Sequence, residues 1–369
     1  MENTKIGVYE AIALLTIIVV NFVVLDGAKS TIIVTSSSAL INVIYVSLIS
    51  ISISYLFYKL LSRFPTFDIL DISNFLGGKI LKFIVGSIFI VYFIILSAGL
   101  IKNFSYSLQT IYYPFTNVFI IVLVFLMSAL FVSNLKYNAV FRSNLLILPL
   151  IIISVLFLFF GNIKNYSVNN VFPIMGNGTY STFVLGAGNI FTFQSLAYLL
   201  FLPPYLKDVT KLKKITLISI ILSAFYFITS VSSLILLFYG YVSNESLMPL
   251  YSAVRYIEFG AFFQRLDSLF LMIWIISFIS YLCITINICS NILRKSISKK
   301  PSKVFYSTFV SIIILIFTLM IKNHAISTFL IETICKYFFL IILIISLFIL
   351  LLAVCIKIFK SKFKTVRIN

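Results

Sequence analysis

The chain has 369 residues, of which 61% are hydrophobic and only 10% charged; its mean hydropathy is +1.14 and its formal net charge +18. That leaves too little polar surface to cover a water-soluble globule of this size, which excludes soluble enzymes and soluble binding modules. The apolar residues run in blocks of about 20, the length that crosses a bilayer as a helix, so the fold class is an all-α polytopic membrane protein.

In chain order, five spans are predicted near 9–25, 39–61, 81–101, 115–132 and 138–160. Five more follow near 182–203, 215–239, 269–292, 304–321 and 334–356. No soluble domain interrupts them, so 1–369 reads as one transmembrane domain. Its halves are about 6–160 and 180–357, with a basic tail at 358–369. The first span lacks a basic leader and a small-residue cleavage site, and it is read as retained.

An even span count puts both ends on one side. With that side cytoplasmic, 21 of the 28 Lys and Arg residues fall in cytoplasmic segments, chiefly at 59–82, 207–214, 294–303 and 357–367. The other seven face outward, as the positive-inside rule requires. The net charge is thus read as topology anchors against the lipid bilayer; no nucleic acid partner is expected.

Three connections carry information. The segment 64–78 is expected to form a short surface helix, with Ile69, Ile72, Phe75 and Leu76 at helical spacing and Gly77-Gly78 to end it. The stretch 161–181 leads into span six. The stretch 249–268 reads as an amphipathic segment over the outer mouth, where Arg255 and Glu258 are spaced to pair.

Cys283, Cys289, Cys335 and Cys355 lie in or beside spans without a C-x-x-C pair and are read as buried packing residues. His324 stands alone in the sequence and is read as a solvated loop residue. No metal, cofactor or catalytic residue is expected. There is no phosphate loop, no H-E-x-x-H and no Gly-x-Ser-x-Gly.

Ten spans are compatible with two five-span repeats of opposite topology, a plan that places ligand near the midplane where the first helix of each repeat is interrupted. Span six carries interruption signals: Gly186 and Gly188, then Asn189, Thr192, Gln194 and Ser195, before Pro203-Pro204. Polar groups at such density are avoided by lipid-facing helices. The competing reading is small-residue helix packing. In span one, Asn21 is the most central polar residue, and a break is expected near 19–22, just before Asp26-Gly27. Of the ten acidic residues, only Glu10 and Asp26 are placed where the membrane could enclose them, Asp26 near the outer interface. Glu332 is read as lying at a span end, so no deep proton relay is expected.

Several segments in order resemble the B subunits of spore germinant receptors, within the amino acid–polyamine–organocation transporter superfamily. They are 5–12 (KIGVYEAI), Phe64-Pro65, Asp68-Ile69-Leu70-Asp71-Ile72 and Gly77-Gly78-Lys79. Further along come Arg142-Ser143-Asn144 with Pro149, then Phe172-Pro173-Ile174-Met175-Gly176 and Phe201-Leu202-Pro203. The last are 255–260, Phe263-Gln264-Arg265-Leu266-Asp267 and Trp274. The chain departs from many relatives in having Asp26-Gly27-Ala28 where they carry proline.

The resemblance implies a LeuT-like 5+5 inverted repeat with broken helices 1 and 6, in the inner membrane of a bacterial spore. It implies partnership with a receptor A subunit and a lipoprotein C subunit, and recognition of a small nutrient such as an amino acid. Ligand-lining candidates are Asn21, Thr192, Gln194 and Ser195, with Tyr92, Ser97 and Trp274 on the walls from spans three and eight. Two other readings are open: a proton- or sodium-coupled amino acid transporter of the same fold, and a scaffold that only stabilises its partners.

Overall fold

Span one is apolar on every face, and every residue from Ala11 to Ala28 is buried, so the rest of the bundle is built around it. The computed structural model describes residues 5–135, 137–238, 247–257, 266–297 and 302–366. The expected Arg255–Glu258 pair lies partly outside these residues, as do Phe263-Gln264-Arg265, Glu2, Glu245 and the basic anchors Lys136, Lys299, Lys300 and Arg367.

Among the described residues the chain is helical, and it follows the ten expected spans. Seven helical stretches of the described residues are long and apolar enough to cross a membrane. The first, Val8–Leu61, holds two spans joined at Ser36, whose left-handed backbone (φ 57°) turns the chain between Thr35 and Ala39. Span four, Val118–Asn134, is a shorter apolar helix, and span six is not one regular helix at all. The protein is a multi-pass membrane protein.

Span one runs as Val8–Phe22, a π-helical turn at Val23–Gly27, and Ala28–Thr35. It ends ten residues beyond the expected Leu25. Its irregularity falls at 23–27 rather than 19–22, as a widened turn that stays in helical backbone geometry rather than as an unwound gap. Span two is Ala39–Leu61, span three 79–111 and span five Tyr137–Gly161. Span seven is Leu212–Leu237, span eight Leu266–Ser296 and span nine Lys303–Met320.

Span ten begins at His324, well before the expected 334, and passes through a second π-helical turn at Leu330–Cys335 into Lys336–Val366. This corrects three expectations. His324 opens a helix, capped by the Asn323 side chain, and is half-buried. Glu332 and Lys336 lie within the span. Cys283, Cys289 and Cys335 are buried as expected, but Cys355 is exposed on the outer face of span ten.

One end of the bundle, here called basal, holds Ile6, Asp68 and Lys295; the other is distal. The expected surface helix is present at the basal end. Asp68 caps it, accepting from the Asp71 N–H at 2.9 Å, and Gly77-Gly78 break it before span three, Gly78 with φ 64°. Lys295 of span eight lies 2.6 Å from both Asp68 Oδ2 and Asp71 Oδ2, tying this helix to the bundle. Burial raises the Asp68 carboxyl to about 6 despite the ammonium beside it.

The N-terminal strand of backbone is tied in as well: Ile6 N–H donates to Tyr205 at 2.7 Å and Lys207 N–H to Ile6 at 3.0 Å. Glu10 accepts from Gly7 N–H at 2.6 Å and pairs with Arg142 at 3.3 Å, so it serves the start of span one rather than its interior. At the distal end the expected amphipathic segment forms a helix at Pro249–Arg255, with Tyr251 and Val254 buried and Arg255 exposed. Tyr251 donates to Asp267 Oδ2 at 2.7 Å, pinning that helix to span eight.

Candidate functional site

Span six departs from α-helix for most of its length. It runs as Thr179–Phe183, a 3₁₀ stretch over Leu185–Phe193, and Ser195–Leu199. Nine residues is long for 3₁₀ geometry, which rarely persists beyond three or four and marks strained or functional segments when it does. Gly186 and Gly188 explain how the stretch packs. A Cβ at Gly186 would collide with the Asn42 side chain of span two, and one at Gly188 with the Lys336 side chain of span ten. Asn42 uses that access to donate to Thr182 O at 2.7 Å, and it accepts from Asn189 at 2.8 Å.

The irregular part of span six packs against the π-helical turn of span one. Phe22 meets Phe191 edge-on at 4.8 Å between ring centroids, Phe191 meets Phe339 of span ten at 5.7 Å, and Phe339 lies 6.2 Å from Tyr92 of span three. This aromatic chain crosses the bundle and links the four spans.

The sequence-derived candidates are distributed around it as follows. Thr192, Gln194 and Ser195 are all buried. Among the described residues, neither polar atom of the Gln194 amide has a hydrogen-bond partner, and Ser195 Oγ has none. Tyr92 is buried with its hydroxyl unpartnered among the described residues, and Ser97 is buried one turn and a half further along the same span. Asn21 is spoken for: its amide donates to Ile17 O at 2.9 Å and to Ser277 Oγ at 2.8 Å, fastening span one to span eight. Nearby, Ser280 hydrogen-bonds Asn144 of span five, so polar side chains knit spans one, five and eight. Trp274 packs between Phe270 at 5.6 Å and Tyr226 of span seven at 5.9 Å, with its indole N–H unpartnered among the described residues. Its ring contacts thus run to span seven rather than to span six.

On the distal side of this layer lies a cavity of about 260 Å³. Span one contributes Leu25, Asp26, Lys29 and Ile33; span three Asn103 and Ser107; span ten His324, Thr328 and Glu332. Both carboxylates come from π-helical turns, a device that recurs at functional sites because it redirects side chains out of helical register. Asp26 is 3% exposed, and its Oδ2 has no hydrogen-bond partner among the described residues. His324 lies 5.2 Å from the Tyr106 ring, and Asn103 accepts from Ser327. Among the described residues, no three His, Cys, Asp or Glu side chains converge as a metal site would need.

Sequence reasoning missed Asn42, Asn103, Glu332 and Lys336. The signal for Glu332 and Lys336 lay in span ten: their four-residue spacing puts both on one helical face, beside a Thr-containing stretch that is not lipid-like.

A family model described as spore germination protein matches residues 5–327. The chain belongs to that family. Among relatives of this spore germination protein, YndE of Bacillus subtilis, itself described as a spore germination protein, is 22% identical over 297 residues. The alignment covers 78% of this chain and 80% of YndE. Among solved structures, a Na⁺-coupled sialic acid symporter in a substrate-bound outward-open state superposes with a TM-score of 0.60 at 12% identity. It covers 93% of this chain and 78% of the symporter. A manganese transporter from Eremococcus coleocola gives a TM-score of 0.56 at 13% identity, over 94% of this chain and 77% of its own. At these identities the likeness is one of fold: this germination protein has the LeuT-type transporter architecture, with a π-helical turn in span one and a 3₁₀ stretch in span six.

Proposed function

We propose that the chain is the nutrient-sensing subunit of a spore germinant receptor, binding a small polar molecule, such as an amino acid, where spans one and six are interrupted. The observation that carries this reading is Gln194. A buried primary amide with both polar atoms unpartnered is costly, on the order of 1–3 kcal/mol, unless something else completes it. A ligand's carboxylate or ammonium group would do so. The 3₁₀ backbone of span six sets its side chains out of α-helical register beside the π-helical turn of span one.

On this reading the halves 6–160 and 180–357 act as paired repeats, and the basic ends face the cytoplasm at the spore's inner membrane. Ligand binding favours one arrangement of the bundle, and the change passes to an A subunit and a lipoprotein C subunit. The chain's role is recognition rather than catalysis.

The test is Gln194→Ala, alone and with Asn21→Ala, in spores, measuring germination against nutrient concentration. Gln194→Ala is expected to raise the half-maximal concentration about tenfold or more at normal receptor level. Asn21→Ala is expected to act through packing and to lower receptor abundance. Unchanged sensitivity in assembled Gln194→Ala receptor removes the site.

A second reading, a secondary transporter, gains support from Asp26, a buried carboxylate of the kind that relays protons. Accumulation of labelled amino acid in proteoliposomes, driven by a proton or sodium gradient, would favour it over sensing.

A further inference from the structure

We infer that the distal cavity is a recognition subsite for the protonated amine of a small zwitterion, held between Asp26 and Glu332 before or while the rest of the ligand engages span six. The inference rests on the sensing reading and assigns that site a part the sequence did not suggest.

Three observations converge. First, Asp26 is almost wholly buried, lines the cavity, and leaves Oδ2 without a hydrogen-bond partner among the described residues. A buried carboxyl oxygen left bare is costly unless the group takes up a proton or a donor arrives from elsewhere, and a cavity beside it gives such a donor room to enter. Second, the other wall presents Glu332, so an incoming ammonium, with three donors, meets two carboxylates and the Asn103 and Ser107 side chains. Both carboxylates sit on π-helical turns in separate spans, so the pair depends on how spans one and ten lie against each other.

Third, the cavity is of mixed sign and small. Lys29, which has an interaction of its own within the chain, lines it alongside the two acids, so carboxylates outnumber resident ammonium groups and one further ammonium is accommodated. At about 260 Å³ it lies below the range typical of drug-sized ligands and accepts something of amino-acid size.

The experiment uses the intact receptor, purified with its partner subunits, and the 20 standard L-amino acids as probes, read by thermal shift and then by calorimetry. For each binder, the N-acetyl and the deaminated analogues follow. The expected result is that wild-type receptor binds at least one amino acid and neither analogue. Asp26→Asn should weaken that binding about tenfold to hundredfold, and Glu332→Gln should do so by a smaller factor. Glu332→Gln, at a half-buried position, guards against misfolding of the Asp26 variant, and both are checked for assembly by size exclusion.

Gln194→Ala separates this inference from the reading beneath it. If Gln194→Ala abolishes binding while Asp26→Asn and Glu332→Gln leave it unchanged, the deeper site stands and the amine subsite falls. Equal binding of the N-acetyl analogue also overturns the subsite. If no amino acid binds, both fall.

Discussion

At the basal end, Lys295 lies 2.6 Å from both Asp68 and Asp71, the surface helix is capped, and Ile6 is bonded to the backbone that follows span six. At the distal end, Asp26 and Glu332 line a cavity, and one oxygen of Asp26 has no partner among the described residues. Similar residue types thus do opposite things. Where Lys295 stands within 2.6 Å of two carboxylates, the bundle is fastened; where Asp26 and Glu332 line a cavity shared with Lys29, one carboxyl oxygen stays open, and the proposed subsite places an ammonium from outside there. Between the two ends lies the aromatic layer of Phe22, Phe191, Phe339 and Tyr92, with the cavity on its distal side.

The largest expected effect comes from the layer between the ends. Gly186→Val would drive Asn42 from its bonds to Thr182 and Asn189, overpacking a buried polar contact. A loss of about 3 kcal/mol or more is expected, with receptor absent from spore membranes on immunoblots. Normal abundance and normal response would mean that span six is less tightly held than the contact implies.

Next is the basal fastening. Lys295→Met leaves Asp68 and Asp71 facing each other without their shared cation. The ammonium is partly exposed, so the expected cost is about 2–3 kcal/mol, below that of a fully buried pair, measured as a lowered unfolding midpoint in detergent. If the basal end acts as a latch, the variant should also germinate with less nutrient. An unchanged midpoint would show the two ends to be alike in stability after all.

The smallest effect concerns pH. Because the folded-state value of Asp68 is raised to about 6, the stability linked to its protonation is fully present below the ordinary carboxylate range and is lost as pH rises through 6. Asn at this position mimics the protonated form. Relative to Asp68→Asn, the unmodified chain should therefore lose a few tenths to about 1 kcal/mol between pH 5 and pH 7, as seen in paired melting curves. A constant gap would place the titration elsewhere.

The sequence carried the ten spans because bilayer thickness imposes a length and lipid imposes a composition, and both survive in any reading of 9–25 or 304–321. Span six was also legible, since Gly186, Gly188 and the polar run to Ser195 are costly in a lipid-facing helix. What stayed hidden depends on pairing between distant segments. Asn21 reads as a site residue until Ser277 is seen opposite it. Asp26, Glu332 and His324 read as interface or loop residues until span ten is found to begin at His324, bringing its first turns beside span one. A π-helical turn leaves no clear mark on hydropathy, because it redirects side chains without changing their type. Gly27 packs its backbone against the Phe22 ring, which is how the span-one turn is accommodated, and that contact too is invisible in a linear reading.

The most direct test of the account is thiol labelling at the distal cavity. In receptor carrying Cys355→Ser to remove the exposed native thiol, Thr328→Cys is treated with a charged maleimide, with and without the nutrient that triggers germination. Rapid labelling that the nutrient slows several-fold is expected, while Ser290→Cys, buried near the basal end of span eight, stays unreactive. Labelling of Thr328→Cys that ignores the nutrient, or equal reactivity at both positions, would contradict it.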